Sequence, residues 1–148
     1  MKRATNFILI DHMPFALDCS EEEGLRRWVQ WMEDHRSERI VAEDKIDPYW
    51  ISTVFLGLDQ QFSPGPPLLF ETMIFERNES TCLLIDGNIQ LIDHVHSDLD
   101  HLRWRYSTWE EAEQGHRNVA AMVKRALLGG TQWWKAVARI VKNKPVCR

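Results

Sequence analysis

The densest group of potential metal ligands lies in residues 94–101, with the sequence HVHSDLDH. His94 and His96 are two residues apart, so both imidazoles point to the same face if this stretch is a strand, and Asp98 follows closely. Imidazole and carboxylate ligands suit zinc or manganese, which would make the chain a small metal-dependent hydrolase. A zinc site needs three or four ligands, however, and folding usually collects them from distant parts of a chain. We therefore expect no metal and no cofactor, and the hydrolase remains an alternative based on these three residues.

An acid–base pair is the second candidate for chemistry. Glu71 lies in the stretch LLFETMIF of residues 68–75, on a strand face that is otherwise apolar. A carboxylate on such a face must be paired, hydrogen-bonded or protonated, because burial of a lone charge is costly. His116 lies on the apolar face of a predicted helix, so we expect Glu71 and His116 to be buried close together. The pair could perform acid–base chemistry or hold a ligand or partner, but no nucleophile motif or phosphate loop accompanies it, which favours a structural link between sheet and helix.

The remaining candidates are contacts for a ligand or a partner, and no catalytic residue is predicted. The loop of residues 59–67, DQQFSPGPP, contains three prolines and one glycine. Functional groups concentrate on loops held by rigid strands, so Asp59 and Gln60 are candidate contacts. Most of the seven tryptophans are explained as core residues by helix or strand phase, but Trp31 and one of Trp133 and Trp134 cannot share the main stripe of their helices. An exposed tryptophan can anchor a partner or a flat aromatic ligand, although packing against the body is the default. We select Trp109 and Trp133 as candidate contacts.

Composition excludes several classes of protein. The 148 residues are 44% hydrophobic and 27% charged, which is typical of a soluble globular chain of about one domain. No apolar run approaches the roughly 20 residues of a membrane-spanning helix, so no membrane partner is expected. The three cysteines are far apart, and the apolar run near the N-terminus is shorter than the core of a signal peptide. These features predict reduced thiols and a cytoplasmic location.

The net charge of −4 conceals an uneven distribution. Residues 51–100 contain 1 basic and 8 acidic side chains, whereas residues 101–148 contain 10 basic and 3 acidic ones. The basic last third could contact nucleic acid or an acidic partner. Packing beside the acidic middle of the same chain is the alternative. We favour it because an acidic protein is a poor general binder of phosphate backbones.

Start signals and periodicity predict the elements of the N-terminal half. Ser20 and Glu23 have the spacing of a capping box, and residues 21–35 are predicted to be an amphipathic helix. The apolar stripe of this helix consists of Leu25, Trp28, Val29 and Met32. Strands are predicted at residues 7–10, 39–42, 50–58 and 68–75, because these stretches are rich in β-branched and aromatic residues. The last two would form an antiparallel hairpin with a long loop.

The C-terminal half is predicted to contain one more hairpin and two helices. Residues 81–85 and 89–95 flank a turn at 86–88. Ser107 or Thr108 would cap the next helix, because both have a glutamate three residues later. Its apolar stripe consists of Trp109, Ala112, His116, Val119, Val123 and Ala126. A last helix would begin at Thr131. The predicted fold is a single α+β domain over residues 1–148, with a central antiparallel sheet packed by one N-terminal and two C-terminal helices.

Three strings resemble a known group of proteins. They are WISTVFLGLD at residues 50–59, LFETMIF at 69–75, and RYSTWEEA with a following GH at 105–116. They are similar to strings in small proteins of unknown function encoded by tailed bacteriophages and prophages, so the resemblance brings no activity with it. Gln60 stands where these proteins often have histidine, which argues against chemistry that needs an imidazole there. Residues 77–104 are longer than the corresponding connection and read as an insertion.

Three functional hypotheses follow. The first is a phage-derived accessory protein that binds a host or phage protein without catalysis, for example in counter-defence. It rests on the resemblance, on the lack of a convincing catalytic set and on spare aromatic residues. The second is a protein that sequesters a small nucleotide-like ligand, using tryptophan stacking, the basic last third and the loop of residues 59–67. The third is the hydrolase with His94, His96 and Asp98. The sequence leaves self-association open.

Overall fold

The computed structural model describes residues 5–77, 80–85, 88–93 and 99–129. It is an α+β structure with a four-stranded antiparallel sheet, two two-stranded sheets and two helices in these ranges. The elements in chain order are β1 (Asn6–Ile10), β2 (Met13–Leu17), α1 (Glu22–Asp34), β3 (Ile40–Ile46), β4 (Tyr49–Phe55), β5 (Phe70–Glu76), β6 (Ser80–Ile85), β7 (Asn88–Asp93), β8 (Arg103–Tyr106) and α2 (Trp109–Gly129).

The four-stranded sheet has the order β3-β4-β5-β8 and carries the core on one face, here called the inner face. Alternation along β4 and β5 sends every second side chain to that face. The fully buried residues of these two strands are Ile51, Thr53, Phe55, Phe70, Thr72 and Ile74. Helix α2 contacts all four strands and covers the inner face. Its buried stripe contains all six residues expected from the periodicity: Trp109, Ala112, His116, Val119, Val123 and Ala126.

The start of α2 is a capping box, as predicted. The Thr108 hydroxyl accepts a hydrogen bond from the backbone N–H of Glu111 at 3.1 Å. The Glu111 carboxylate in turn accepts from the backbone N–H of Thr108 at 3.3 Å and of Ser107 at 2.9 Å. These bonds satisfy amide groups that the first turn of a helix leaves without partners. Of the two residues expected to cap the helix, Thr108 is the one that does so.

Helix α1 is present, but its cap and its buried stripe differ from the prediction. Glu21 occupies the N-cap position without a side-chain hydrogen bond, and Glu23 pairs with two arginines of its own helix. Leu25 and Val29 are 46% and 42% exposed, and no residue of α1 is fully buried. The helix is instead turned towards Trp31, whose ring lies edge-on to Phe55 at 6.0 Å. Trp28 and Met32 of the predicted stripe are half-buried beside Gly57, as expected, so the helix is rotated towards its aromatic residues and away from Leu25 and Val29.

Strands β1 and β2 form a hairpin, here called the N-terminal ribbon. Asp11 and His12 are its two turn residues, and both have positive φ, as a two-residue hairpin turn of type I′ requires. Residues 57–59 run along the other side of β1, since the amide of Phe7 donates to the Gly57 carbonyl at 2.8 Å. Gly57 has a φ of 72°, and a side chain there would collide with Met32 of α1.

The hairpin expected within residues 81–95 is confirmed by antiparallel pairing of β6 with β7. Strands β2 and β8 were not predicted. The proposed last helix, from Thr131, falls outside the described residues. Neither α1 nor α2 combines the length and the apolar character that a membrane crossing requires.

Candidate functional site

A chain of polar side chains crosses the buried space between α2 and the sheet. His116 of α2 is 4% exposed, and its Nδ1 lies 2.7 Å from the Thr53 hydroxyl on β4. The Thr53 hydroxyl lies 2.6 Å from that of Thr72 on β5. At the other side of the imidazole, Nε2 lies 3.1 Å from an Asp44 carboxylate oxygen on β3. With Tyr106, which hydrogen bonds to Thr72, these residues form what we call the polar chain.

The donors and acceptors of the polar chain match in a single direction when His116 is neutral. Nε2–H donates to the Asp44 carboxylate, which leaves Nδ1 as an acceptor for the Thr53 hydroxyl. Thr53 then accepts from Thr72, and Thr72 accepts from the Tyr106 hydroxyl. Burial raises the pKa of Tyr106, which favours the neutral phenol that this direction of donation requires.

Strand register and one glycine explain why these residues meet. Thr53 and Thr72 are directly opposite each other in the antiparallel pair, so their side chains share the inner face. Gly115 lies on α2 next to His116, and a side chain at this position would collide with the Tyr106 ring. The absence of a Cβ at Gly115 therefore lets Tyr106 pack closely against α2. Strand register and the close packing at Gly115 together bring the residues of the polar chain into contact.

A hydroxyl, an imidazole and a carboxylate in this order have the same components as a nucleophilic triad. Burial excludes these hydroxyls as nucleophiles, because Thr53 and Thr72 are both 0% exposed. No substrate atom can reach a fully enclosed hydroxyl without opening the core. Within the described residues, no buried side-chain nitrogen or oxygen lacks a hydrogen-bond partner. The polar chain is thus a satisfied polar link between α2 and the sheet.

The expected contact between Glu71 and His116 is wrong. Glu71 follows Phe70 and precedes Thr72, so its side chain is on the outer face of the sheet. There it accepts a hydrogen bond from Arg105 at 2.8 Å, and only 12% of its side chain is exposed. The role expected for Glu71 as the partner of His116 belongs to Thr53 and Asp44. The charge of Glu71 could have indicated this orientation. The other set of alternate residues in the strand, Phe70, Thr72 and Ile74, contains no charge and is therefore the better candidate for the buried face.

The first loop candidate, Asp59, holds the loop in shape. Its Oδ1 accepts from the backbone amides of Gln61 at 2.8 Å and Leu68 at 3.0 Å. The amide of Gln60 donates to the Leu68 carbonyl at 3.0 Å, which closes the base of the loop. Phe62, at 94% exposure, is the large hydrophobic residue of this loop that projects into solvent. Sequence reasoning did not select it.

Trp109 is a core residue at the start of α2. It is 7% exposed, and the His12 ring of the N-terminal ribbon stacks on it at 3.7 Å with an interplanar angle of 2°. Phe70 meets it edge-on at 6.1 Å. Trp109 therefore fixes the ribbon turn against α2. Of the other expected site residues, Trp133, His94, His96 and Asp98 lie outside the described ranges. No group of three potential metal ligands occurs within those ranges.

The N-terminal ribbon carries an apolar surface that the sequence analysis missed. Phe7 and Leu9 face the core, so the alternate residues face away from it. Ile10, Met13 and Phe15 are 49%, 58% and 49% exposed. The strand register places further apolar residues on the same face, with the polar Asn6 between Leu17 and Leu58. We call the apolar set the apolar ribbon surface: Ile8, Ile10, Met13, Phe15, Leu17 and Leu58. The signal was the run FILI-DH-MPFAL, which is apolar on both alternations.

Comparisons of the chain with protein-family models, with curated proteins and with solved structures give no match.

Proposed function

We propose that the chain is an accessory protein that binds another protein through the apolar ribbon surface and performs no catalysis. The exposure of Ile10, Met13 and Phe15 on one face of the ribbon supports this proposal most directly. Contiguous exposed apolar residues of this kind are typical of protein interaction sites, since leaving them in water is unfavourable. Phe15 and Met13 also belong to the residue types that interfaces favour.

The ribbon is held in place before any partner arrives. The Trp28 indole N–H of α1 is 3.0 Å from the Phe7 carbonyl and 3.2 Å from the Gly57 carbonyl. The stack of His12 on Trp109 fixes the turn. A surface fixed in this way loses little conformational entropy on binding, which favours affinity.

Binding should occur on the face of the ribbon rather than by addition of a strand at its edge. In the described part of the chain, β2 pairs only with β1. The two-residue turn makes Ile10 and Met13 a hydrogen-bonded pair, so the nitrogen of Pro14 points away from β1. Proline has no N–H to offer an incoming strand. The edge is therefore a poor site for strand addition, and the side chains of the face remain as the contact.

The resemblance to phage and prophage proteins supports a host or phage protein as the partner, and the bacterial cytoplasm as the location. In this proposal the chain is one domain with a long-looped hairpin of β4 and β5, and its last helix begins at Thr131. The candidates Trp133, His94, His96 and Asp98 remain predictions. The hydrolase alternative needs zinc or manganese bound through the last three of these residues.

The test compares two charge substitutions at exposed apolar residues. Phe15→Glu places a charge in the apolar ribbon surface, whereas Leu128→Glu does so at the far end of α2, where Leu128 is 88% exposed. Tagged proteins are incubated with bacterial lysate, and captured proteins are quantified by mass spectrometry. We expect one protein to be captured stoichiometrically by the wild type and by Leu128→Glu, and to be lost with Phe15→Glu.

Capture that is equal with Phe15→Glu would contradict the proposal. A second copy of the same protein is the other candidate partner for the apolar ribbon surface. Sedimentation velocity of the purified chain tests for such self-association. A dimer that Phe15→Glu dissociates would assign this surface to self-association and would also contradict binding of a different protein there.

A further inference from the structure

Two aromatic side chains lie side by side on the outer face of the four-stranded sheet. Trp50 of β4 is directly opposite Phe75 of β5 in the strand register. Their ring centroids are 5.3 Å apart and the ring planes differ by 34°. His101 continues the row, with its ring edge-on to Phe75 at 6.3 Å. Trp50 is 41% exposed although tryptophan is usually buried, so this row presents aromatic surface to solvent.

Neither described helix packs over this row. The side chains of α2 contact the inner face, where His116 meets Thr53. Helix α1 contacts β1 and, through Trp31, the inner-face residue Phe55. In the described ranges, the four-stranded sheet therefore has helix on one face, while on the opposite face Trp50 is exposed and Phe75 is half-buried.

Cationic side chains flank the aromatic pair. Lys45 of β3 is opposite Trp50, and Arg103 of β8 is opposite Met73 next to Phe75. Both are exposed, and neither forms an ion pair with another residue of the described ranges. Glu43 is an exposed carboxylate on the same face. Locally, uncompensated positive charge thus exceeds negative charge, in contrast to the net charge of the whole chain.

We propose that this face binds single-stranded nucleic acid, with bases stacked on Trp50 and Phe75 and phosphates beside Lys45 and Arg103. Aromatic side chains on a sheet between basic residues are the elements with which proteins hold unpaired bases and their backbone. A duplex keeps its bases stacked internally and cannot offer them to the aromatic pair. Lys45 and Arg103 are on the two outer strands, three strand spacings or about 14 Å apart. One nucleotide phosphate cannot contact both, whereas a strand of several nucleotides can.

The proposal does not depend on protein binding at the apolar ribbon surface, which is built from other residues. Binding of a fluorescein-labelled oligo(dT) of about 12 nucleotides to the full chain is measured by fluorescence anisotropy, at about 50 mM and about 200 mM salt. We expect saturable binding that weakens with salt. Trp50→Ala should weaken it about tenfold, as expected for the loss of one stacked base, and Trp50→Phe should retain most of it. Phe62→Ala is the matched control, because it removes an exposed aromatic residue outside the outer face.

Charge substitutions test the same surface in both directions. Lys45→Glu and Arg103→Glu should weaken binding and reduce its salt dependence, because each removes a phosphate contact. Glu43→Gln should tighten binding, because it removes a carboxylate that repels phosphate. This gain cannot arise from damage to the fold, and circular dichroism checks the folding of the other variants.

Several results would overturn the proposal. They are absence of saturable binding at low salt, equal binding by Trp50→Ala, and competition by dTMP as effective as that of the oligonucleotide. Binding that is lost only with Lys142→Glu/Lys144→Glu would place the contact in the basic C-terminal part instead. Phe15→Glu should bind the oligonucleotide as the wild type does, so failure here and failure of the protein-binding proposal are distinguishable.

Discussion

Removal of the central hydroxyl from the polar chain is the sharpest test of the buried site. Thr53→Val keeps the shape of the side chain but removes the oxygen that lies 2.6 Å from Thr72 and 2.7 Å from His116. It leaves two buried groups without this partner, and each such group costs about 1–3 kcal/mol. Thr72 keeps its bond to Tyr106, which limits its share. We therefore expect Thr53→Val to lower the free energy of unfolding by about 2–4 kcal/mol.

A second substitution, at Thr72, measures the energetic coupling between the two threonines of the polar chain. Thr72→Val should cost about 1–3 kcal/mol, because Thr53 keeps its bond to His116 but the Tyr106 hydroxyl loses its bond to Thr72. The double variant should cost about 1 kcal/mol less than the sum, since the bond between the two threonines is lost only once. Urea unfolding followed by tryptophan fluorescence gives these values from the shift in midpoint at constant slope.

The matched control is Thr5→Val, the same substitution at an exposed position, which should change the free energy of unfolding by less than about 0.5 kcal/mol. Two outcomes would refute the reasoning. One is a cost for Thr53→Val no larger than that of this control, and the other is strict additivity of the two buried substitutions.

Three further predictions concern α2 and its neighbours. Thr108→Ala should lower the free energy of unfolding in urea by about 1 kcal/mol through loss of the cap, whereas Ser107→Ala should have little effect. Gly115→Ala should destabilise by about 1–3 kcal/mol despite the better helix propensity of alanine, and less so in a Tyr106→Ala background, where the collision is absent. Because burial raises the pKa of Tyr106, its contribution is complete below the unfolded pKa of about 10 and is lost as pH rises through the folded pKa. Between about pH 9 and about pH 11, the free energy of unfolding should therefore fall less for Tyr106→Phe than for the wild type. An equal fall in both proteins would exclude Tyr106 as the source of this pH dependence.

Local signals explain the elements that the sequence predicted well. The stripe of α2 follows from the 3.6-residue period, and its start follows from a threonine with a glutamate three residues later. Both depend mainly on contacts within a few residues, although the same kinds of signal predicted helix α1 without giving its cap or its full buried face. Strand β8 was missed because it is defined by pairing with β5, which is distant in the chain. Strand β2 pairs with its neighbour β1, and it was missed because Asp11-His12 is not one of the glycine-containing turns that mark a two-residue hairpin.

The tertiary structure determined which face of β5 is buried. Both alternations of LLFETMIF are largely apolar, so the sequence determined a strand but left two orientations open. Pairing of Thr72 with Thr53, and packing of His116 against both strands, selected one of them and sent Glu71 outward to Arg105. The same non-local choice turned α1 towards Phe55 and left Ile10, Met13, Phe15 and Trp50 exposed. Residue types therefore determined which side chains could form an interaction surface, and only the packing of the sheet and helices decided which of them face solvent, because burial depends on neighbours distant in the chain.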